Sequence, residues 1–338
     1  MRNFLKSAAG LVCAMAVATA GCSSDKDDTS DSAGASPSER ASGTSSGTAY
    51  APYVSATTAS DNDSAGSPST YNLAFVIADG SACTPSWNGT TAIGDSAVKS
   101  RISALTESGS AVRVSFGGAS GKELASACDS ASELAAAYGK ALDAAGATEA
   151  DFDVEGTQLA DSDSVALRSE AIALLQKERE DLSVTFTLPV MPSGLDGDSV
   201  ALLESANDKG VEVSTVNIMT MNYGSSYDED MGDYAKTSAR AAHDQLKTVF
   251  GLSDSGAWKG LALTSMPGVN DVDNETFSLA DAAEVRAFAE EKGVAWVSMW
   301  STFRDQRCEG DDASSDDAAT HCSGVEQEAG AFAEAFTG

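Results

Sequence analysis

The sequence predicts a single parallel (β/α)8 barrel, and three observations carry that expectation. Short runs rich in β-branched and aromatic residues recur eight times along the chain. Ala-rich stretches with helical spacing separate most of them. A length of 338 residues, 42% of them hydrophobic, is enough for one large core of this kind. An open doubly wound sheet is the alternative, but no Gly-rich dinucleotide turn follows the first strand.

Taken in order, the chain opens with MRNFLKSAAGLVCAMAVATAGCSS, in which Arg2 and Lys6 precede an apolar run too short to span a bilayer comfortably. Residues 1–21 therefore read as an export signal. Ala20-Gly21-Cys22 resembles a bacterial lipobox, with Thr19 where that motif prefers Leu, and it makes Cys22 a lipidated N-terminus. Ordinary cleavage after Ala18-Thr19-Ala20 would instead release a freely secreted protein. Residues 22–47 are Ser, Asp, Gly, Ala and Thr with almost no large apolar side chain, a composition that cannot offset its ordering entropy, so they form a tether.

The barrel occupies residues 48–338. Its strands are TAYAPYVS, YNLAFVIA, AVRVSFG, ADFDVEG, LSVTFTLP, VSTVNIMTMN, WKGLALTSM and VAWVSMW; its helices include SELAAAYGKALDAAG, SVALRSEAIALLQKERE, GDYAKTSARAAHDQLKTVFG and LADAAEVRAFAEEKG. In such a TIM barrel the C-terminal tips of the strands surround the functional mouth, while the opposite rim serves stability.

The formal charge is −30, from 51 acidic and 21 basic residues. Nucleic acid and anionic membrane surfaces would be repelled, so membrane contact is left to a lipid anchor and a neutral or cationic ligand fits better. Only two histidines occur, which leaves little for a His-rich metal site or a Ser-His-Asp triad. Cys83, Cys128, Cys308 and Cys322 belong to an exported chain in which oxidation is expected, and no CxxC spacing suggests metal.

The fourth strand carries DFDVEG, with acids at alternate positions: Asp151, Asp153 and Glu155. Alternation places them on one face and Phe152 and Val154 on the other. The apolar pair packs outward under the helices, so the acids point into the barrel and Glu155 lies nearest the mouth. Burying several like charges in line pushes their proton affinities apart, and the outermost carboxyl becomes a general acid. A solvated polar edge or an oxygen-ligand cation site are the competing readings; a straight strand lacks the turn that gathers cation ligands.

ADFDVEG resembles the D-x-D-x-E core of glycoside hydrolase family 18, and further pieces agree in order. They are SFGG at Ser115 to Gly118, LPVMPSGL at Leu188 to Leu195, MTMNYG at Met219 to Gly224 and MWSTFRDQRC at Met299 to Cys308; CSGVEQ at Cys322 to Gln327 is similar to short secreted bacterial chitinases. The resemblance implies hydrolysis of β-1,4-linked N-acetylglucosamine polymers with retention, the substrate's own acetamido oxygen acting as nucleophile, and no metal or organic cofactor. Glu155 is then the acid and base, Asp153 holds the acetamido group, and Asp151 tunes Asp153.

Met221, Asn222, Tyr223 and Trp300 take substrate-binding roles by the same resemblance, Trp300 as the floor. Ser115, Gly117 and Gly118 support the acids from below, Ser115 bonded to Asp151. Arg304 and Asp305 are expected to form a structural ion pair near the mouth. Thr148 and Glu149 stand where the family begins its pattern with Asp-Gly, and Met221-Asn222 stands where many members carry Tyr-Asp. That second departure removes a like charge near Glu155 and predicts that Glu155 ionises at lower pH.

The stretch from Met266 to Val294 leaves no room for an inserted α+β lobe, so a shallow cleft is implied. Cys83 with Cys128 and Cys308 with Cys322 are the favoured pairs because each joins local segments of the barrel, although four cysteines allow three connectivities. A monomer is expected, extracytoplasmic, lipid-anchored at a bacterial surface or secreted. The rival functions are an endo-N-acetylglucosaminidase acting on N-glycan cores and a non-catalytic chitin-binding barrel.

Overall fold

Eight parallel strands close on themselves in the computed structural model, which describes residues 47–272, 274–309 and 321–338. The export signal (1–21), Cys22 and nearly all of the tether (22–47) lie outside the described residues. The strands are β1 (Ala49–Tyr50 continued by Tyr53–Ser55), β2 (Thr70–Ala78), β3 (Ala111–Gly117), β4 (Glu149–Asp153), β5 (Ser183–Pro189), β6 (Val213–Thr220), β7 (Leu261–Ser265) and β8 (Trp296–Met299). Each matches one of the runs read from the sequence. From β2 to β8 consecutive strands pair in parallel.

The seam is made by β1. Ala49–Tyr50 pairs with Trp296 and Val297 of β8, and Tyr53–Ser55 pairs with Asn72 to Ala74 of β2. Pro52 has no N–H to donate, so the strand changes partner there. The buried Asn72 spans the break: its Nδ2 donates to Ala51 O at 2.8 Å, and its Oδ1 accepts Arg113 Nη1 at 2.8 Å.

Among the described residues seven helices longer than six residues surround the strands: α1 (Ser96–Thr106), α2 (Ala131–Ala145), α3 (Ser162–Glu178), α4 (Gly197–Lys209), α5 (Met231–Phe250), α6 (Leu279–Lys292) and α7 (Ala331–Thr337). The first six begin at Asp95, Ser130, Asp161, Asp196, Asp230 and Ser278, whose side chains accept backbone N–H groups of the first turn. Such caps contribute about 1 kcal/mol each. The β1–β2 connection carries no helix: residues 56–69 are Ser, Thr, Asp, Asn, Gly and Pro for the most part, and they form turns. Asp63 anchors them by a 2.9 Å ion pair to Arg101 of α1 and a 2.6 Å bond from Thr302.

The outward face of β4 is apolar, as its alternation requires. Phe152 is fully buried, its ring 5.3 Å from Phe116 of β3, 5.8 Å from Phe186 of β5 and 5.0 Å from Tyr138 of α2. Burying one such ring stabilises the fold by about 1.5–3 kcal/mol. That layer leaves Asp151 and Asp153 facing the barrel interior. Lower on the strand, Glu149 forms a 2.6 Å ion pair with Arg113, so the departure at that position serves the stabilising rim.

Two disulfides join Cys83 to Cys128 and Cys308 to Cys322, with Cα atoms 4.6 and 5.0 Å apart. The expected Arg304–Asp305 ion pair does not form. Arg304 points to the β7–α6 link, donating to the carbonyls of Pro267 and Val269. Asp305 turns the opposite way and receives the N–H groups of Phe332 and Ala333 at 2.8 and 2.9 Å, at the start of α7. Adjacent residues diverge here because a helix terminus offers the carboxylate better-aimed donors. The β7–α6 link, residues 266–278, holds one small hairpin of Gly268–Val269 with Thr276–Phe277.

Candidate active site

Register brings the carboxylate row its neighbours. Asp151 lies beside Ser115 of β3 and Thr185 of β5, and Asp153 beside Gly117 and Thr187. Asp151 is fully buried and accepts three hydroxyls: Ser115 Oγ at 2.6 Å, Thr187 Oγ1 at 2.6 Å and Tyr53 OH at 2.8 Å. Burial pushes its carboxyl above the ordinary range, and these bonds together with Arg113 pull it back towards ionisation. Tyr53 remains a donor because burial, Asp151 and Asp153 all oppose its ionisation.

Asp153 is 5% exposed, and its Oδ1 is buried with no donor in reach among the described residues. Its carboxyl is held well above the usual range, by burial first and then by Glu155 and Asp151. The two carboxyls act on each other's proton affinity, Glu155 raising Asp153 and Asp153 lowering Glu155, as neighbouring carboxyls do when they compete for one proton. Glu155 stands just past the strand, in extended backbone at φ −133°, where the short helix Gly156–Ala160 begins. Burial raises it, the bond to Asp153 lowers it, and Asp271 raises it again.

The glycines act by absence of a side chain. A Cβ on Gly117, at φ +99°, would stand 2.1 Å from Asp153 O. On Gly118 it would meet the ring of Phe75 at 2.9 Å. Phe75 stacks on Trp300 at 5.3 Å, and Tyr53 meets Trp300 edge-on at 5.7 Å, so three aromatic rings floor the site.

Above this floor lies a cavity of about 370 Å³. Asp153, Glu155, Met221, Asn222, Asp271 and Trp300 are among its lining residues. Tyr223 is not. It is 4% exposed, and its ring packs 5.8 Å from both Tyr227 and Tyr234. The strand ends at Thr220 and Asn222 sits at φ +55°, so alternation is broken here: Met221 and Asn222 both line the cavity, and Tyr223 turns toward Tyr234 of α5.

The sequence reading also missed residues. Tyr53, Thr187, Asn217 and Thr264 form one buried network: Asn217 Nδ2 donates to Thr187 Oγ1 at 2.9 Å and to Tyr53 OH at 3.3 Å, and Thr264 Oγ1 donates to Asn217 Oδ1 at 2.9 Å. Polar residues at alternate positions of apolar strands were the available signal. Asp271 was missed as well. It pairs with Asn222, so a second carboxylate stands at the mouth and raises Glu155, in the direction opposite to the one expected from Asn at position 222.

Another acidic group, Asp230, Asp233 and Glu284, brings three carboxylates within 4.8 Å on the surface. Lys236 Nζ sits among them, 2.8 Å from Asp233 and 2.6 Å from Glu284, as an ion pair cluster.

Fold and site together define the class: a parallel (β/α)8 barrel whose C-terminal mouth presents two carboxyls, Asp153 and Glu155, over an aromatic floor. Within that class the chain is a homologue of chitinase catalytic domains. It is 34% identical over 275 residues to a probable bifunctional chitinase/lysozyme of Escherichia coli (strain K12), a match covering 76% of this chain and 31% of that protein. It is 34% identical over 276 residues to Endochitinase 11 of Metarhizium anisopliae, covering 76% of this chain and 52% of that one. The chain thus spans about a third and about half of the length of these curated relatives. Active domain 2 of the chitinase from Pyrococcus furiosus superposes with a TM-score of 0.74 at 29% identity, over 85% of this chain and 93% of that domain. Catalytic-site mutants of that domain, complexed with chito-oligosaccharides, superpose with a TM-score of 0.73. No family model matches the chain.

Proposed function

We propose that this chain belongs to glycoside hydrolase family 18 and hydrolyses β-1,4-linked N-acetylglucosamine polymers, chitin and its oligosaccharides, with retention of configuration. The observation that carries the reading is the placement of Asp153 and Glu155 together in the cavity at the mouth of a barrel homologous to chitinase domains. Only one of the two carboxyls reaches past the strand end, so a single acid serves the leaving group.

In the first step Glu155 gives its proton to the glycosidic oxygen while the acetamido oxygen of the reacting sugar attacks the anomeric carbon. The glycosidic bond breaks, the shortened chain leaves as an alcohol, and the sugar becomes a cyclic oxazolinium cation. Negative charge now rests on the Asp153–Glu155 pair, beside that cation, in a site where burial strengthens the attraction. In the second step Glu155 takes a proton from water, whose oxygen attacks the anomeric carbon from the face that the leaving group vacated, opposite the acetamido oxygen, and reopens the ring. Behind the pair Asp151 accepts three hydroxyl donors that favour its ionised form, and its charge opposes ionisation of Asp153 until substrate charge develops. Trp300 supplies an apolar floor for the sugar ring, and Met221 and Asn222 line the opposite rim.

The proposal extends to location. Export by residues 1–21 with acylation at Cys22 gives an extracytoplasmic protein of the short secreted bacterial type, acting as a monomer. Among the described residues no helix is long and apolar enough to cross a membrane. Palmitate labelling of the parent and of Cys22→Ser reads the anchor directly.

Product analysis on chitohexaose with anomer detection tests the activity. Shorter oligosaccharides released as β-anomers are expected, and Glu155→Gln should lower the rate by at least about a thousandfold, the scale of a lost acid–base group. An uncut substrate, α-anomer products or an unchanged Glu155→Gln rate would overturn the reading.

A further inference from the structure

Asp271 is exposed, yet it is pinned from every side of its loop. Its Oδ2 accepts Asn222 Nδ2 at 2.8 Å, and its own backbone N–H donates to Asn222 Oδ1 at 3.0 Å. Two bonds of opposite sense hold the carboxylate against the tip of β6. Asn222 is itself constrained: it sits at φ +55°, and the turn it makes aims the N–H of Gly224 at the buried carboxylate of Glu275, 2.7 Å away. On the other flank Arg304, 1% exposed, grips the carbonyls of Pro267 and Val269 in the same loop. A solvated surface carboxylate requires none of these restraints. What they achieve is to keep one negative charge at the lip of the cavity that Asp153 and Glu155 also line.

Resting on the family 18 reading, we propose that Asp271 is a positioning residue of the acid/base site. Clamped by Asn222, it stands as a fixed negative charge at the mouth and holds the proton on Glu155 until the glycosidic oxygen takes it. The loop between β7 and α6 is then part of the catalytic apparatus through charge, without touching the reacting atoms.

The other groups around Glu155 leave room for this role. Asp153 on β4 competes for its proton, with Asp151 on the same strand and Glu123 of the β3–α2 loop acting on Asp153 behind it. Asp196, at the start of α4, lines the cavity too, while its side chain caps Ser199 N at 2.8 Å. Among the described residues no Lys, Arg or His lines the cavity. Arg304 is the cation that feels Asp271, and it is turned to the loop carbonyls. Like charge on Asp271 favours the neutral form of Glu155, in the same direction as burial. The position that many family members fill with Asp is here Asn222, and its amide places an acid contributed by another loop.

The test is a carboxyl 13C NMR titration of Glu155 in the full protein, in the parent and in Asp271→Asn and Asp271→Glu. Asn keeps an acceptor for Asn222 and removes the charge; the Glu155 midpoint should fall by on the order of half a unit. Asp271→Glu restores the charge and should return most of that shift, which a purely structural role would not do. The alkaline limb of the rate profile should move with the midpoint. A midpoint unchanged in Asp271→Asn, or a fall that Asp271→Glu does not reverse, would overturn the proposal. Asp271→Ser gives the same reading if the Asn variant does not fold. Because titration needs no turnover, a parent protein that leaves chitohexaose uncut defeats the functional reading and not this one.

Discussion

Asp153 is the residue at which function and stability conflict. Its folded carboxyl titrates well above its unfolded value, so the folded state holds a proton that the unfolded state releases. The sign follows from linkage: the folded state is favoured most below the unfolded carboxylate range near pH 4, and that advantage is lost as pH rises through the folded pKa. At neutral pH the buried acid therefore destabilises the fold. Asp153→Asn should raise the unfolding temperature at pH 7 by about 3 °C, corresponding to about 1 kcal/mol in a domain of this size, and the gain should shrink as pH approaches 4. Thermal scans across pH check it; a gain equal at both ends would mean that packing, not ionisation, is responsible. The carboxylate row itself was legible in DFDVEG, since alternation alone assigns a face. Tyr53 was not, because its phenol reaches Asp151 across 98 positions of chain through barrel closure.

At the scale of elements, the loops at the mouth are tied down by polar bonds rather than by apolar packing. Arg304 is a buried cation with no carboxylate among the described residues within ion-pair distance, and burial lowers it to about 10. Its partners are carbonyls, which only a donor can satisfy. Arg304→Met should cost about 2–4 kcal/mol in urea denaturation, because the carbonyls of Pro267 and Val269 lose their donors. It should also loosen the loop that carries Asp271, so the rate should fall more steeply than stability accounts for. The Cys83–Cys128 bridge closes a separation of 45 residues between the segments after β2 and β3. Replacing both by Ser should lower stability by about 2–4 kcal/mol, and by more than the same change at Cys308 and Cys322, which span 14. Helix starts were readable from their Asp and Ser caps, whereas the opposite destinations of Arg304 and Asp305 depend on which loop and which helix end lie beside β8.

For the molecule as a whole, the charge of −30 is a repulsion spread over the surface, relieved locally by ion pairs such as Lys236 among Asp233 and Glu284. Unfolding temperature should rise by a few degrees between about 10 mM and 0.5 M NaCl, as the Debye length shortens from about 30 Å to under 8 Å. A fall with salt would show that the ion pairs outweigh the net repulsion. The barrel closes through few bonds at β1, where Asn72 and Arg113 brace the break at Pro52.

The eight strands, most of the helices and the inward face of the acids were determined by the sequence by itself, because periodicity and capping act over a few residues. The three donors on Asp151, the turn of Tyr223 away from the cavity and the arrival of Asp271 beside Asn222 were decided by tertiary structure alone. The donors on Asp151 and the Asn222–Asp271 contact join segments 36 to 98 positions apart, and only the closed register of the barrel determines which of them meet.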